Sequence, residues 1–549
     1  MSSYLKTAAQ RNQGTTVQTE QAREDQVVNN AGGYVFSQDA WLKVRSFLIL
    51  GAEGGTYYVG EKELTKQNTT NLQACLKENG PKLVQLIREV SVNGLAPKQA
   101  ATLFALALAA ADGDLATRAE VLKVRDEVLR TGSQLEEFTG YLLGLGSKSS
   151  RFTRKLLGGW YAKPIDDLAY QAVKYQTREG VSHRDILRVA HPKPVSAAHD
   201  HLFKWVVDGS AATKPVPEKF ANRVNVKALK SSLQLPAIVQ AFERAKAATT
   251  ETEIVQLITE HNLPRECIPT QLLNSVAVWE ALLAKMPLTA LIRNLGKMSS
   301  VGLLKPLSAA SKLVVEKLND QDYLTKSRIH PIGVLSALKT YASGHGVRGK
   351  LSWEPVRQVV DSLDGAFYKT FKNVEPTNKN FLLALDVSGS MGMGEVGGVP
   401  ELSPREASAA MALVTAATEP NYEIFGFSTS FVKLNITPKM RLDQAVKAIN
   451  GLPFSGTDCS LPVQYADQQG LDVDTFIVYT DSETYAGRIH PFQALKKYRA
   501  KTGKFAKLIV VGMVSNGFTI ADPNDRGSLD VVGFDSSVPE VIRSFSLAE

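Results

Sequence analysis

The stretch FLLALDVSGSM at residues 381–391 decides the fold of the second part of this 549-residue chain. Its first five residues are apolar without alternation, which is typical of a strand buried on both faces of a parallel sheet. An acidic residue and two hydroxyls follow at alternate positions, as Asp386, Ser388 and Ser390. Open α/β sheets bind their ligands at the carboxyl ends of their strands. The stretch therefore predicts a ligand site together with the strand.

The sequence around this stretch alternates between short apolar runs and amphipathic segments. Strands are predicted at residues 381–385, 422–427, 475–480, 507–511 and 531–534, and helices at residues 403–418, 442–450, 491–501 and 539–545. This alternation is typical of a doubly wound parallel sheet with helices on its faces. We therefore expect a Rossmann-like α/β domain over residues 377–549.

Two later polar features should join the loop at residue 386. Thr457 lies in a polar turn, and Asp481 directly follows another predicted strand. Sheet topology can bring Asp386, Ser388, Ser390, Thr457 and Asp481 to one edge. Carboxylate and hydroxyl oxygens suit Mg²⁺ first, and Mn²⁺ or Ca²⁺ as alternatives, rather than zinc. We expect one divalent cation with a coordination position open for water or a partner's carboxylate; a hydroxyl-rich loop without metal is the alternative.

Residues 31–376 are almost wholly helical in pattern. Apolar residues recur at helical spacing, for example over residues 98–111 and 276–285, and short polar turns separate these segments. The region is too long for one compact core, so it predicts an α-solenoid with HEAT-like pairing of helices. Residues 1–30 are rich in Gln, Thr, Asn and Glu, which predicts a flexible N-terminal segment.

The net charge of +8 is unevenly distributed along the chain. Residues 379–549 contain 15 Lys and Arg against 19 Asp and Glu, whereas the preceding residues contain 48 against 36. A basic excess confined to one part of a chain suggests a polyanionic partner for that part. A solvated basic surface without a partner explains the charge equally well.

The segment IDDLAYQAVKYQTREGVSHRDILRVAHPKP at residues 165–194 concentrates this charge. It predicts two helices, at residues 165–178 and 182–190, the second opened by a capping box of Ser182 and Asp185. Cations four residues apart share a face of each helix. The basic residues of the two helices therefore form a fixed array, which suits phosphate contacts. The array consists of Lys174, Arg178, Arg184, Arg188 and His191.

Several functional classes lack support in the sequence. GMGEVG at residues 392–397 matches GxGxxG, but the next predicted strand ends in Ser-Thr-Ser rather than in an acidic residue. No GxxxxGK[ST], GxSxG or HExxH motif is present. A metal-dependent nuclease would need the second metal and clustered carboxylates that are usual for phosphodiester cleavage. We therefore do not expect an enzyme.

Cysteine usage and hydropathy predict the cellular compartment of the protein. Cys75, Cys267 and Cys459 are far apart and form no CxxC pair, which favours a reducing, cytoplasmic location. The N-terminus lacks the apolar core of a signal peptide. The longest apolar run, residues 103–111, is too short to span a bilayer, so no membrane association is expected.

Longer motifs carry a family resemblance. Asp386-x-Ser388-x-Ser390 with Thr457 and Asp481 resembles the metal-ion-dependent adhesion site of von Willebrand factor A domains. Five further stretches resemble the Ro ribonucleoprotein autoantigen family, which combines a TROVE module with such a domain: GAEGGTYYVGEKEL (51–64), VSHRDILRVAHPKP (181–194), MPLTALIRNLGKM (286–298), GHGVRGKLSW (344–353) and GFTIADPNDRG (517–527).

The resemblance implies a helical ring closed by the A domain. It also implies binding of small non-coding Y RNAs on the outer ring surface and of single-stranded 3′ ends of misfolded RNAs in the hole, in RNA quality control and stress response. The family's Y RNA contacts match Lys174, Arg178 and His191. For the lining of the hole, basic character within matching motifs indicates Arg293, Lys297, His345, Arg348 and Lys350.

The partners expected from the resemblance are RNA and a protein at the metal site, with a ribonuclease as one candidate; DNA is not expected. The competing hypothesis from another class is a metal-dependent protein-interaction module that uses the helical region as its platform.

Overall fold

The computed structural model describes residues 15–52, 61–147, 149–176, 180–209, 234–346, 350–371, 375–396, 402–452, 455–533 and 537–548. Within these ranges the chain up to residue 369 is mainly helical, and an α/β domain follows. No helix in the described ranges combines the length and apolarity needed to cross a bilayer.

The helical domain is an array of successive helices, most of them joined by short connections. Its helices are α1 (Ala40–Leu50), α2 (Glu61–Val92), α3 (Ala100–Asp112), α4 (Leu115–Val128), α5 (Gly132–Gly144), α6 (Arg151–Trp160), α7 (Ile165–Lys174), α8 (His183–Ala190), α9 (Ala197–Asp208), α10 (Ala237–Ala247), α11 (Glu251–His261), α12 (Val276–Ala284), α13 (Leu288–Ser300), α14 (Ala309–Asn319), α15 (Gln321–Ser327), α16 (Pro331–Ser343) and α17 (Arg357–Lys369).

Helix boundaries follow local side-chain chemistry. The predicted capping box at the start of α8 is confirmed, since Ser182 Oγ accepts from the Asp185 amide and Asp185 Oδ2 accepts from the Ser182 amide at 3.0 Å. Helix α2 is kinked at Asn79, two residues before Pro81, which cannot donate a helical hydrogen bond. The capped starts and the Pro kink define the short helices that a solenoid needs.

The last helices of the array contact its first helices. Nε2 of His330, before α16, donates to the carbonyl oxygen of Leu95, after α2, at 3.1 Å. The α/β domain contacts both regions as well: Ser515 Oγ donates to the Gly51 carbonyl oxygen at 2.8 Å, and Lys339 Nζ pairs with Glu406 at 2.7 Å. These contacts confirm the expected helical ring closed by the second domain.

The second domain contains a six-stranded sheet flanked by helices. Its elements are β3 (Phe381–Asp386), α18 (Pro404–Thr418), β4 (Tyr422–Phe427), β5 (Phe431–Lys433), α19 (Leu442–Asn450), α20 (Leu461–Gln469), β6 (Thr475–Thr480), α21 (Pro491–Thr502), β7 (Lys507–Gly512), β8 (Phe518–Thr519), β9 (Ser528–Val532) and α22 (Val538–Leu547). The strand order is β5-β4-β3-β6-β7-β9, and only the edge strand β5 is antiparallel within this sheet. The predicted parallel sheet is confirmed, although β5 and α20 were not expected.

Residues 15–37 differ from the expected flexible segment. They include strands β1 (Gln26–Val28) and β2 (Tyr34–Ser37), which form a three-stranded antiparallel sheet with β8. Polar composition predicts disorder, yet here Gln and Asn side chains donate to backbone groups of the second domain, and Val35 and Phe36 are buried against it. Residues 1–14 lie outside the described ranges.

Two apolar cores hold the fold together. The larger one runs through the helical domain and continues under one face of the sheet, from Val44 in α1 to Ile542 in α22. The smaller one covers the opposite face and includes Val35 of the N-terminal segment. The two domains therefore share a hydrophobic core.

Candidate functional site

The predicted metal-site residues lie at the topological switch point of the sheet. The chain leaves β3 toward β4 on one side, and β6 lies on the other side of β3. Asp386 ends β3, and Asp481 follows the last residue of β6. Open α/β folds bind ligands in the crevice between such strands, so the topology places both carboxylates where a ligand is expected.

Hydrogen bonds connect this pair to the loop hydroxyls. Thr480 Oγ1 donates to Asp386 Oδ2 at 2.6 Å, and the Ser388 amide donates to Asp386 Oδ1 at 2.9 Å. The hydroxyls of Ser388 and Ser390 lie 3.2 Å apart, and Ser390 also hydrogen-bonds to Asp481. The structure thus brings four of the five predicted ligands into one cluster.

Thr457 approaches this cluster through its backbone. Its carbonyl oxygen accepts from the amides of Tyr485 and Ala486 at 3.0 Å each, just beyond Asp481. The next residue, Asp458, donates its amide to the Ser428 carbonyl oxygen, at the end of β4, at 3.0 Å. The turn that carries Thr457 is therefore pinned between the carboxyl ends of the two strands that flank β3.

The electrostatics of the cluster favour a cation. Burial raises the pKa of Asp386, and repulsion from Asp481 raises it further. Burial likewise raises the pKa of Asp481. The guanidinium of Arg405 donates to the carbonyl oxygens of Val387 and Ser388 at 3.0 and 2.9 Å, and it also interacts electrostatically with Asp386. Two buried carboxylates with hydroxyl neighbours fit a hard divalent cation.

A third carboxylate, Glu483, was missed at the sequence level. Its side chain is 1% exposed, and burial followed by repulsion from Asp481 raises its pKa to about 7. The same reasoning that selected Asp481, an acidic residue beyond the carboxyl end of a strand, could have found it. Glu483 accepts hydrogen bonds from Asn30 and Asn516 at 2.7 and 3.0 Å, so its oxygens are engaged by neighbouring amides.

The basic cluster predicted on two helices is arranged differently from the expectation. Helix α7 ends at Lys174 because Tyr175 adopts an extended conformation (φ −111°, ψ 106°). The helical spacing that placed Lys174 and Arg178 on one face therefore does not apply, and Arg178 lies outside the described residues. Lys174 is half-buried beside the rings of Tyr170 and Tyr175, 5.4 and 5.3 Å from their centres.

Lys174 also contributes to a cavity of about 180 Å³ between α7, α11, α12 and α13. Burial lowers the pKa of this ammonium, but Tyr175, Tyr170 and Glu266 more than compensate, and the net shift is upward. Lys174 therefore remains cationic while facing a cavity shared with Asn294 of α13.

The remaining cations of the cluster lie exposed on and beside α8. Arg184 and Arg188 project from the helix, and His191 ends it in a left-handed conformation (φ 44°, ψ 54°). Ser149 connects this end to α6, because its Oγ donates to the Val189 carbonyl oxygen at 3.0 Å and accepts from Arg154 at 2.9 Å. Helices α6 and α8 thus present one continuous basic surface, here called the α6–α8 surface, made of Arg151, Arg154, Lys155, Arg184, Arg188 and His191.

The residues suggested for the ring hole belong to one local unit. Arg293 and Lys297 lie one turn apart on α13, with Gly296 between them. A Cβ at Gly296 would approach the Trp353 ring to 2.6 Å, so this glycine lets residues 350–353 and the turn at 344–346 pack against the helix. His345 is exposed on that turn and Lys350 is exposed at the start of residues 350–353, while Arg348 lies outside the described residues. The unit groups four of the five suggested cations.

Comparisons with known proteins agree with this architecture. The family model of the TROVE domain matches residues 27–340, and that of the Ro60 vWA domain matches residues 380–546. A protein of Deinococcus radiodurans called RNA-binding protein RO60 is 40% identical over 535 residues, which cover 97% of each chain. Its namesake from Caenorhabditis elegans is 36% identical over 589 residues, covering 96% of this chain and 91% of the relative.

A solved structure supports the same assignment. The crystal structure of the Deinococcus radiodurans RO (RSR) protein superposes with a TM-score of 0.68 at 40% identity, and covers 92% of this chain and 99% of that one. Both domains, their order and nearly their full length are matched. The chain therefore belongs to the Ro60 family, in which a TROVE domain precedes a von Willebrand factor A domain.

Proposed function

We propose that this chain is the RNA-binding scaffold of a Ro-type ribonucleoprotein and has no catalytic activity of its own. RNA binding is named for its relatives in Deinococcus radiodurans and Caenorhabditis elegans, which align with nearly the whole chain. The observation that carries the proposal is the α6–α8 surface. Its guanidinium groups are fixed on short helices, and among the described residues Arg151, Arg154, Arg184 and Arg188 form no ion pair, unlike Arg125 and Lys163, which pair with Asp126. Exposed arginines of this kind suit phosphate contacts.

Within this proposal two kinds of RNA occupy two surfaces. Small non-coding Y RNAs take the outer α6–α8 surface, with Lys174 and Arg178 at its margin. Single-stranded 3′ ends of misfolded RNAs take the ring hole, beside the unit of α13 that carries Arg293 and Lys297. The role is RNA quality control and stress response in the cytoplasm. The dipole of a helix also stabilises cations near its C-terminus, as Arg188 and His191 are in α8. Because this would explain their presence without RNA, the α6–α8 surface needs a binding test.

The A domain supplies a second, protein-directed function. One divalent cation, Mg²⁺ in the first place, is held by Asp386, Ser388, Ser390, Thr457 and Asp481. The cation would supply an open coordination position for an acidic side chain of a protein partner, for which a ribonuclease is one candidate. Support comes from the two buried carboxylates, whose mutual repulsion a cation relieves. Labelled RNA incubated with the protein and Mg²⁺ should stay intact.

The RNA proposal is tested by charge reversal on α8. Arg184→Glu with Arg188→Glu should strongly weaken binding of a structured RNA and lower the slope of log K against log salt by about 2. A single-stranded tail bound in the hole should be retained. Lys496→Glu with Lys497→Glu, on exposed positions of α21, makes the same change in net charge and serves as the control.

The outcomes separate a local from a general effect. Equal weakening by both double variants would mean that net charge alone governs binding, and would contradict an RNA surface on α8. Equal loss of structured and single-stranded RNA in the α8 variant would contradict two separate surfaces.

A further inference from the structure

The N-terminal segment, residues 15–37, inserts side chains into the loop that begins with a predicted metal ligand. This loop, residues 481–490, runs from Asp481 to the start of α21. Gln18 is fully buried in it: Nε2 donates to Asp458 Oδ1 at 2.8 Å and to the Ile489 carbonyl oxygen at 2.9 Å. Its Oε1 accepts from the Thr484 hydroxyl and from the Gly487 amide. A buried amide with four partners fixes residues 484–489 of the loop and connects them to Asp458.

Asn29 holds the part of the loop closest to Asp481. Its Nδ2 donates to the carbonyl oxygens of Ser482 and Thr484, at 3.2 and 2.9 Å, on either side of Glu483. The Glu483 amide between them donates to Asp481 Oδ1 at 3.1 Å. Asn29 therefore fixes the peptide that orients a carboxylate of the proposed cation site.

The neighbouring backbone approaches the loop as closely as a glycine allows. A Cβ at Gly33 would lie 1.8 Å from the Thr484 carbonyl oxygen. The same turn brings Asn30 Nδ2 and the Ala31 amide to the two carboxylate oxygens of Glu483, at 2.7 and 3.1 Å. Segment and loop are thus matched in shape and in hydrogen bonding.

We propose that residues 15–37 are a positioning element of the cation site, so that the affinity of the A domain for a divalent cation depends on this segment. The inference rests on the proposed cation site. Its basis is that groups which orient metal ligands typically change metal affinity by about 10- to 100-fold when they are removed. The segment continues directly into α1, so it joins the loop of the cation site to the first described helix of the ring.

A purely structural role makes a different prediction. If the segment only stabilised the domain, its removal would lower the melting temperature and leave the cation affinity of the folded protein unchanged. The affinity of the folded protein is therefore the decisive measurement.

The test compares Asn29→Ala with Gln21→Ala in the full chain. Gln21 lies on the same segment but is exposed, and its amide donates only to the Glu24 and Gln26 carbonyl oxygens among the described groups. Calorimetric titration with MgCl₂ and MnCl₂ should give an affinity weakened by about tenfold or more for Asn29→Ala. Gln21→Ala should bind like the wild type. Circular dichroism confirms that each variant is folded.

Each result bears on a definite claim. If the wild type binds cation and Asn29→Ala binds equally well, the positioning role is refuted and the cation site stands. If the wild type binds no cation, both claims fall. Should Asn29→Ala not fold, Gln18→Ala answers the same question, since it releases the loop at residues 484–489 and leaves the turn at residue 29 intact.

Discussion

Asp530 offers a quantitative test of how the N-terminal segment joins the second domain. This residue of β9 accepts a hydrogen bond from Gln38 Nε2 at 3.0 Å, and its Oδ1 is enclosed. Burial raises its pKa to about 7, while Gln38 and Thr519 oppose the rise and Asp39 adds to it. The carboxyl group is therefore kept close to its neutral form in the folded protein. Asp530→Asn should mimic this form at every pH.

The direction in which stability changes with pH follows from how many protons the folded and unfolded states bind. Between about pH 4 and pH 7 the folded state holds a proton that the unfolded state has already lost, so the wild type loses stability as the pH rises. A rise from 3.8 to about 7 corresponds to about 4 kcal/mol. Because part of the residue is open to solvent, we expect a realised difference nearer 2 kcal/mol. The free energy of unfolding of Asp530→Asn should thus exceed that of the wild type at pH 8 and nearly equal it at pH 4.

Thermal unfolding measured from pH 4 to pH 8 gives the answer. The melting temperature of Asp530→Asn minus that of the wild type should grow by roughly 2 °C across this range, because the unfolding entropy of a chain of this length is about 1.2 kcal/mol/K. Asp322→Asn, at an exposed position of α15, is the matched control and should show no such growth. A difference that stays constant with pH would refute the buried, neutral carboxyl group, even if the variant were more stable throughout.

Two further substitutions address the cation site and the unit on α13. Millimolar Mg²⁺ should raise the melting temperature of the wild type, since a ligand that binds only the folded state stabilises it; Asp386→Asn should abolish this shift, and an unchanged shift would place the cation elsewhere. Gly296→Val should displace the Trp353 ring, cost about 1–3 kcal/mol by overpacking, and weaken binding of a single-stranded RNA tail more than that of a structured RNA. Equal weakening of both RNAs would contradict the role proposed for this unit.

Periodic patterns predicted the architecture well. Amphipathic runs such as α8 and apolar runs such as β3 leave little choice of structure. The elements that were missed have weak patterns: β5 has only three residues, and α20, LPVQYADQQ, has no continuous apolar face. The clustering of Asp386, Ser388, Ser390 and Asp481 was predictable because these residues end or closely follow buried strands.

Tertiary contacts decided what the sequence could not. YQTRE, after Lys174, consists mostly of helix-compatible residues, yet α7 stops where Tyr175 and Tyr170 enclose the ammonium. The N-terminal segment has a composition typical of disorder, but its amides match carbonyl groups that only the folded loop at residues 481–490 presents. The amide contacts leave no periodic signal, because Asn29 and the carbonyl oxygens to which it donates are more than four hundred residues apart.

The attachment of the A domain to the ring depends on apolar contacts more than on ions. The pairs Lys339–Glu406 and Arg441–Asp361 join the domains, but each is partly exposed and contributes about 0–1 kcal/mol. The shared core is the stronger connection: Ile49 of α1 packs so close to Gly533, beyond β9, that a Cβ there would lie 2.8 Å from its Cγ2. Burying one such aliphatic side chain contributes about 1.5–3 kcal/mol. Because salt screens the ion pairs and leaves this core intact, high salt should release bound RNA without separating the A domain from the ring.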